Sequence, residues 1–343
     1  MASKSKPCEW ATQRQAFQAF AGFTEKTQSA GHIKPLHWYV ACRLVLEGGF
    51  DPDHITPRPP FVIRKSKKSG LHVLDYDQSK AKGGEAVVLG GLKTKNVDVV
   101  VTRPGIGPVL AVSCKGTTGA FRNLTNRMEE LIGDCTNLHI SYPTLVLGYL
   151  HLLRANRKIG EEVELIEGEE NSAAEPGEAS EVTSVNENQD LSPDPTVVVT
   201  SGGAVDTKTG DDRSGRKKLT KNDLAFDDAG SISPEIGRFG LAVSRLAGRA
   251  GIRDELTRYE SIGLALVEAG EGNVGDVVFG FPDAASTLDI QGFFDRLYAQ
   301  YDERFVYGAP SLNKTTRRLE WFPESPVFTA VRADYSLRLG TPS

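Results

Sequence analysis

The chain has 343 residues, of which 39% are hydrophobic and 25% charged. This composition excludes a wholly disordered or fibrous chain, and at roughly 150 residues per domain the length predicts one large domain or two ordinary ones. The formal net charge of -5 argues against a nucleic-acid-binding protein only if that charge is spread evenly along the chain.

Residues 1–158 begin with two predicted helices. Aromatic residues at helical spacing between Trp10 and Phe23 predict the first helix, and apolar residues over 36–46 predict the second. A helix over 124–136 and a buried strand within 144–153 end this part of the chain. Between them lie five strand-like runs that turn residues separate, at 61–64, 71–75, 85–89, 97–102 and 109–114.

Residues 159–207 differ sharply in composition from the rest. They hold 13 of the 45 acidic residues and no lysine or arginine. With so few large apolar residues they cannot bury enough surface to offset their ordering entropy. We therefore predict a disordered insert over 159–230 that is acidic first and then basic; whether it folds back on a basic surface or is a solvated linker stays open. Its basic cluster comprises Arg213, Arg216, Lys217, Lys218 and Lys221.

Because the charge is distributed unevenly along the chain, the net charge of -5 does not describe the part outside the insert. Outside 159–207, the other 294 residues contain 40 basic and 32 acidic residues. A body with a basic excess has the charge expected of a phosphate-binding surface. The acidic total therefore does not exclude a nucleic-acid ligand.

The residues after the insert continue the alternation of helices and strands. Helices are predicted over 234–247, where Pro234 follows a Ser233 cap, and over 290–304; a strand is predicted over 259–268 and a short apolar run over 277–281. Because the part before the insert ends on an apolar strand, we favour one interrupted α/β domain over two domains. Residues 1–158 would form its first part and residues 231–343 would complete it, with a mixed central sheet flanked by helices.

Cysteine usage and the apolar runs bear on the compartment. Cys8, Cys42, Cys114 and Cys135 form no C-x-x-C pair and have no zinc-ligand spacing, which is typical of reduced thiols in the cytosol. The first residues lack the apolar stretch of a signal peptide, and no apolar run is long enough to span a bilayer. We expect a soluble, cytoplasmic protein without a membrane partner.

Residues 96–130 carry the most informative pattern. Two valine-rich runs are joined by a Pro/Gly turn over 103–108 and predict a hairpin, with Asp98 on the first strand. Ser113 and Lys115 end the second strand and, two residues apart, face the same side of it. A carboxylate that holds a divalent metal beside a lysine that orients water suits phosphodiester hydrolysis.

With this pattern the chain resembles the PD-(D/E)xK nuclease superfamily, in which an Asp is followed after a turn by (D/E)-x-K. Ser113 stands where that motif has its second carboxylate. A subgroup of type II restriction endonucleases has the same S-x-K motif and takes the missing carboxylate from a Glu fourteen residues after the Lys. Here that position is Glu129, with Glu130 beside it. The resemblance implies a restriction-endonuclease-like core in which Asp98 and Glu129 bind Mg²⁺, Lys115 is catalytic and Ser113 occupies the substituted position.

The same resemblance implies further residues. The subgroup often has another acidic residue on an N-terminal helix, for which Glu47 is the candidate; Glu85, at the start of a strand, is a second one. Arginines between the lysine and the glutamate read guanines in the subgroup, and Arg and Asn can grip guanine and adenine bidentately. The R-N-L-T-N-R pattern differs from the R-x-D-R of members that read CCGG, so no target sequence transfers. The expected DNA contacts are Thr117, Thr118, Arg122, Asn123, Asn126 and Arg127, with the basic loops 64–68 and 213–221.

Structural explanations compete with these assignments. Glu129 lies on the polar side of a predicted helix, where a solvated carboxylate is nearly as well supported as a metal ligand. His37, His139 and His151 have apolar or aromatic neighbours and are predicted to be packed rather than catalytic. The motifs of P-loop, dinucleotide-binding, zincin and α/β-hydrolase enzymes are missing from the sequence.

The sequence thus favours a Mg²⁺-dependent type II restriction endonuclease that cuts double-stranded DNA. Palindromic targets imply a homodimer, and a DNA methyltransferase acting on the same site is a further expected partner. A repair or phage-defence nuclease without sequence specificity is one alternative. A non-catalytic DNA-binding module, in which Ser113 marks a decayed active site, is the other.

Overall fold

The structure is a computed structural model that describes residues 12–23, 31–65, 71–158, 219–253, 255–270, 272–283, 286–332 and 334–341. The α-helices are α1 (Gln13–Ala21), α2 (Lys34–Leu46), α3 (Leu124–Ser141), α4 (Pro234–Ser244), α5 (Ile290–Tyr301), α6 (Asn313–Thr316) and α7 (Phe328–Val331). The strands are β1 (Ile55–Thr56), β2 (Phe61–Lys65), β3 (His72–Tyr76), β4 (Ala86–Leu89), β5 (Thr94–Val97), β6 (Val99–Arg103), β7 (Gly107–Thr117), β8 (Val146–Ala155) and β9 (Ser261–Glu268). Short 3-10 helices cover Pro52–His54, Gln78–Lys80, Phe121–Asn123, Lys221–Asp223 and Pro310–Leu312, and a π-helical segment, Asp302–Tyr307, continues α5.

A five-stranded sheet with the order β1-β6-β7-β8-β9 organises the fold. The β1–β6 and β6–β7 pairs are antiparallel, whereas β8 and β9 run parallel to β7. Two antiparallel ribbons, β2–β3 and β4–β5, stand beside this sheet. The predicted α/β class, with a mixed central sheet flanked by helices, is confirmed.

The two faces of the sheet support separate hydrophobic cores. Successive strand residues point to opposite faces, so Val99 and Val101 pack with helices α1, α2 and α5, whereas Val100 packs with α3 and α4. The same alternation continues on β8, where Leu150 belongs to the first core and Tyr149 to the second. Ser113 and Lys115 alternate with the first-core residues of β7 and therefore face α3.

The chain on the two sides of the predicted insert shares this sheet. Strand β9 lies beside β8, with Gly148 opposite Ser261. The predicted insert over 159–230 is too long at its carboxyl end, because residues 219–230 are described and include the 3-10 helix Lys221–Asp223. Asp223 is buried there and anchors the segment. Residues 159–218 lie outside the described residues.

A second difference from the sequence prediction lies at Asp98. The valine-rich run at 97–102 is divided into β5, which pairs with β4, and β6, which joins the central sheet. Asp98 lies at the break, between these two strands. Among the described helices, none combines the length and apolar character needed to cross a membrane.

Candidate active site

Strand β7 fixes one side of the Asp98 carboxylate. Its oxygen Oδ2 accepts hydrogen bonds from the backbone N–H of Cys114 at 2.7 Å and from the hydroxyl of Ser113 at 3.3 Å. Asp98 is only 9% exposed. The hairpin thus holds the predicted aspartate against the predicted S-x-K motif, and Ser113 acts as a hydrogen-bond donor to it.

The other carboxylate oxygen of Asp98 faces helix α2. Oδ1 lies 3.6 Å from Nε2 of His37, a residue that is 5% exposed. That ring nitrogen has no hydrogen-bond partner among the described residues. Burial lowers the pKa of His37, an effect that the negative charges of Asp98 and Glu85 only partly offset, so the imidazole is neutral at pH 7. His37 is buried as the sequence predicted, but its position beside an acid was not foreseen.

Glu85, at the start of the β4–β5 ribbon, lies close to His37 and Asp98. It directly precedes β4 and its side chain is exposed. One potential ligand atom from each of His37, Glu85 and Asp98 lies within 4.8 Å of the other two. Among the described residues this is the group of acidic, histidine and cysteine side chains that could hold a metal ion, and it includes the sequence-predicted Asp98 and Glu85.

Lys115 meets an acidic residue of helix α3. Its Nζ lies 3.5 Å from Oε1 of Glu130, and the two side chains are 29% and 34% exposed. Burial lowers the pKa of Lys115, but the negative charges of Asp98, Glu130 and Asp134 outweigh it, so the pKa is raised above its usual value. The lysine is therefore a cation at neutral pH that can donate hydrogen bonds.

The acidic residue opposite Lys115 is Glu130, and Glu129 is not part of this contact. Glu129 is exposed on another side of α3, because successive helical residues are rotated by about 100°. Burial raises the pKa of Glu130, but Lys115 and Arg127 outweigh that effect and lower it. Of the two glutamates that the spacing allowed, the structure brings Glu130 to the lysine.

A second ion pair beside this one was missed in the sequence. Asp134 lies one helical turn after Glu130, and its Oδ2 is 2.7 Å from Nζ of Lys95 on β5. Two acids four residues apart on one helix face the same direction, a spacing that is visible in the sequence. Helix α3 thus presents two carboxylates to lysines of two different strands.

Glu47 does not belong to this site. It caps the end of α2, is buried, and its Oε2 accepts a hydrogen bond of 2.7 Å from Nε of Arg43. Its other oxygen accepts a bond of 3.0 Å from the backbone N–H of Ser336. One oxygen is thus engaged with Arg43 of α2 itself and the other connects α2 to the carboxyl-terminal segment, so the predicted catalytic role for Glu47 is not supported by its position.

The predicted DNA contacts divide into two sets. Arg122, Asn123 and Asn126 are exposed at the start of α3. Arg127 is exposed too, but its guanidinium pairs with Glu130 at 2.8 Å. Thr117 is hydrogen-bonded to the ring of His151 at 2.9 Å, so its hydroxyl serves an internal contact.

Asp223, which follows the predicted insert in sequence, and Asn156, which precedes it, hold the loop between β7 and α3 in place. We call this arrangement the Asp223 clamp. Oδ1 of Asp223 accepts a hydrogen bond of 2.7 Å from the backbone N–H of Ala120, which has a left-handed conformation with φ 51°. The side-chain amide of Asn156 donates to the carbonyl oxygens of both Thr118 and Asp223 at 2.8 Å. A Cβ at Gly119 would lie 2.5 Å from the Asp223 carboxylate. The clamp therefore positions the loop that carries Thr117, Thr118 and Arg122.

The predicted basic loops lie mostly outside the described residues. Residues 66–68 and 213–218 are not described. Arg64 is described and pairs with Asp75 on the neighbouring strand β3. Lys221 opens the 3-10 helix that contains Asp223.

His151 lies next to Lys115 in the parallel register of β7 and β8. It is fully buried, with ring nitrogens hydrogen-bonded to Tyr149 at 2.8 Å and to Thr117 at 2.9 Å. Burial, together with the positive charges of Arg127 and Lys115, lowers its pKa to about 3. The ring is therefore neutral at physiological pH, and its packed character agrees with the sequence prediction.

No family profile, curated protein or solved structure matches this chain. The chemistry of the site must therefore be argued from its residues. Carboxylates that can bind a divalent cation, a protonated lysine and exposed Arg and Asn side chains lie around one hairpin and the helix that follows it. Such a group can bind and polarise a phosphodiester.

Proposed function

We propose that the protein is a Mg²⁺-dependent endonuclease that hydrolyses double-stranded DNA at a specific sequence, as a type II restriction enzyme does. The observation that carries the proposal is the convergence of Asp98, Ser113, Lys115 and Glu130 at the β6–β7 hairpin and α3. These positions match the Asp…S-x-K…Glu order of the restriction endonucleases that the sequence resembles, with Glu130 in place of the predicted Glu129.

The donor set fits a hard divalent cation. Mg²⁺ prefers oxygen ligands and is commonly bound by one or two carboxylates plus water and substrate phosphate. Asp98 and the neighbouring carboxylate Glu85 supply oxygens of this kind. When bound, Mg²⁺ would supply positive charge that stabilises the negative charge developing on the phosphate and the leaving oxygen.

The side chains of this chain would have separate roles. Lys115, which the neighbouring acids keep protonated, would donate a hydrogen bond that orients the attacking water beside the phosphate. Glu130 would hold the lysine in position through the 3.5 Å contact. Ser113 and the Cys114 N–H, by binding Oδ2, would fix the direction in which Asp98 presents Oδ1.

DNA would bind along the amino end of α3. Arg122, Asn123 and Asn126 are exposed there, and Arg and Asn side chains can each make two hydrogen bonds to one base. A symmetric target would be read by a homodimer. A methyltransferase acting on the same target would protect host DNA. These partners are part of the proposal.

The decisive experiment is to incubate the purified protein and Mg²⁺ with mixed-sequence genomic DNA and to sequence the resulting ends. Discrete ends sharing one motif are expected. Lys115→Ala is expected to lower the cleavage rate at least about 100-fold while DNA binding, measured by mobility shift in Ca²⁺, stays unchanged. Lys95→Ala is the matched control, since Lys95 also pairs with an acid of α3, and it should cut like the wild type.

The other outcomes separate the alternatives. Ends without a common sequence would identify a nuclease without sequence specificity. Tight binding without cleavage in Mg²⁺ or Mn²⁺ would support the non-catalytic DNA-binding module. Equal cleavage by wild type and Lys115→Ala would show that the active site lies elsewhere.

A further inference from the structure

On the side of Asp98 that faces helix α2 lies His37, whose ring nitrogen Nε2 has no role in the proposed reaction. Nε2 of His37 is buried, has no hydrogen-bond partner among the described residues and lies 3.6 Å from Oδ1 of Asp98. A buried polar atom without a partner costs free energy, and a bound ion is one of the partners that can satisfy it. We therefore expect a group outside the protein chain to bind this nitrogen.

A third ligand is available at the same point. An atom of Glu85 lies within 4.8 Å of the candidate atoms of both His37 and Asp98. Two ligands that share a metal at about 2.1 Å are at most about 4.2 Å apart. Glu85 is exposed and directly precedes β4, so a small rotation of its side chain brings it to coordinating distance.

We propose that His37, Glu85 and Asp98 form a divalent-cation site with one nitrogen and two oxygen ligands, and that it binds first-row transition-metal ions, for which Mn²⁺ is the probe. The inference deepens the proposed function, because it names the metal class of the same site and adds His37 as a ligand. It rests on that function only for its biological role, since cation binding can be measured without DNA.

The ligand chemistry determines the choice of ion. Imidazole adds affinity for first-row transition-metal ions, and Mn²⁺ is the member of that series that also shares the carboxylate, carbonyl and water ligands of Mg²⁺. The two carboxylates keep the site compatible with Mg²⁺, but the nitrogen adds affinity for Mn²⁺ that Mg²⁺ does not gain. Removing the imidazole should therefore weaken Mn²⁺ binding and leave Mg²⁺ binding nearly unchanged.

The test is to measure Mn²⁺ binding to the full chain without DNA, using calorimetry for the affinity and electron paramagnetic resonance for the ligands. Pulsed measurements on the wild type should show coupling of the bound Mn²⁺ to a histidine nitrogen. His37→Gln should remove that coupling and weaken the Mn²⁺ Kd at least tenfold, with less than a threefold change for Mg²⁺. Glu85→Gln, at an exposed position that does not endanger the fold, should weaken Mn²⁺ binding about tenfold as well.

Two matched controls accompany these variants. His32 is another buried histidine with an unpartnered ring nitrogen, and it packs against Phe20 and Phe23 at ring distances of 6.2 and 5.3 Å. Glu129 is an exposed acid outside the cluster. His32→Gln and Glu129→Gln should bind Mn²⁺ like the wild type. Unfolding curves recorded without metal identify any variant that fails to fold.

The results also separate this inference from the proposed function. Mn²⁺ affinity that is unchanged in both His37→Gln and Glu85→Gln, or a bound ion without nitrogen coupling, would overturn the cation site even if the protein cuts DNA. Histidine-coupled Mn²⁺ in a protein that cuts no DNA would uphold the cation site and reject the nuclease.

Discussion

Two charged clusters of similar composition lie at the central sheet, and they differ in how completely their charges are paired. In the first, Glu260 is fully buried and its Oε1 contacts Arg249 at 2.8 Å and Arg304 at 2.6 Å. Its other oxygen accepts a bond of 2.7 Å from the backbone N–H of Leu147 and lies 3.7 Å from His139. Both carboxylate oxygens are occupied by protein groups, so Glu260 has no oxygen left for a ligand.

The second cluster, around Asp98, is incomplete. Lys115 and Glu130 are about one third exposed and 3.5 Å apart, and the nitrogen of His37 has no partner among the described residues. Perturbed ionisable groups occur both in structural ion pairs and in functional sites. Solvent access distinguishes the two, because the side chains of Glu260 and Arg249 are fully buried whereas Lys115 and Glu130 are partly exposed. This difference favours a structural role for Glu260 and supports the proposed catalytic role of the cluster around Asp98.

The largest expected effect is on stability at the first cluster. Glu260→Gln would leave two buried guanidinium groups without their counter-charge, and we expect the free energy of unfolding to fall by about 3–5 kcal/mol. Urea denaturation at pH 7 measures this change in the free energy of unfolding. Glu235→Gln, which removes an exposed pair with Arg238, is the control and should cost less than about 1 kcal/mol. If Glu260→Gln also lowered the free energy of unfolding by less than about 1 kcal/mol, the charge of Glu260 would not be needed for the stability of the fold.

A smaller effect, on catalysis, is expected at the second cluster. Glu130→Gln should lower the rate of DNA cleavage about 10- to 100-fold, because Lys115 loses the carboxylate that positions it. Its cost in unfolding free energy should stay below about 1 kcal/mol, since the pair is partly exposed. Glu129→Gln is the matched control, one residue away on the same helix, and should cut at the wild-type rate. Loss of cleavage in Glu129→Gln alone would restore the sequence-based assignment and contradict the geometry.

The smallest effect concerns pH, at His151, which is next to Lys115 in the sheet but fully buried. The folded state binds this proton only at about pH 3, whereas the unfolded chain binds it near pH 6.5. Its contribution to stability is therefore complete above pH 6.5 and is lost as the pH falls toward 3. The slope is at most about 1.4 kcal/mol per pH unit.

Urea denaturation at pH 7 and pH 5 of wild type and His151→Gln isolates this contribution, because the other titrating groups are common to both. The wild type should lose more stability than the variant between the two pH values. Equal losses would show that His151 is accessible to protons in the folded protein.

Much of the fold could be predicted from local patterns. The hairpin over 97–102 and 109–114 is observed as β6 and β7, and the helix over 124–136 is observed as α3, extended to Ser141. Alternating apolar residues and turn signals mark such elements because they reflect burial of one face. They do not show where a chain changes sheets, which is why the separation of β5 from β6 at Asp98 was not predicted.

The site was predicted in part for a related reason. Asp98 and Lys115 carry a local signal, since each is a charged residue within an apolar run of the sequence. Choosing between Glu129 and Glu130 requires the rotation of α3 against the sheet, which tertiary packing determines. The approach of His37 and Glu85 to Asp98 joins residues that are far apart in sequence, and no periodicity records such a contact. The same limit explains Glu47, whose partner Ser336 lies 289 positions away.

The Asp223 clamp has a consequence for synthesis on the ribosome. The carboxylate that holds the backbone of Ala120 lies 103 positions further along the chain. The loop between β7 and α3 therefore emerges long before its anchor, and strand β9, which borders β8, emerges later still. A nascent chain that has completed the hairpin and α3 still lacks the residues that set this loop. The surface proposed to meet DNA would thus acquire its shape only after synthesis has passed Asp223.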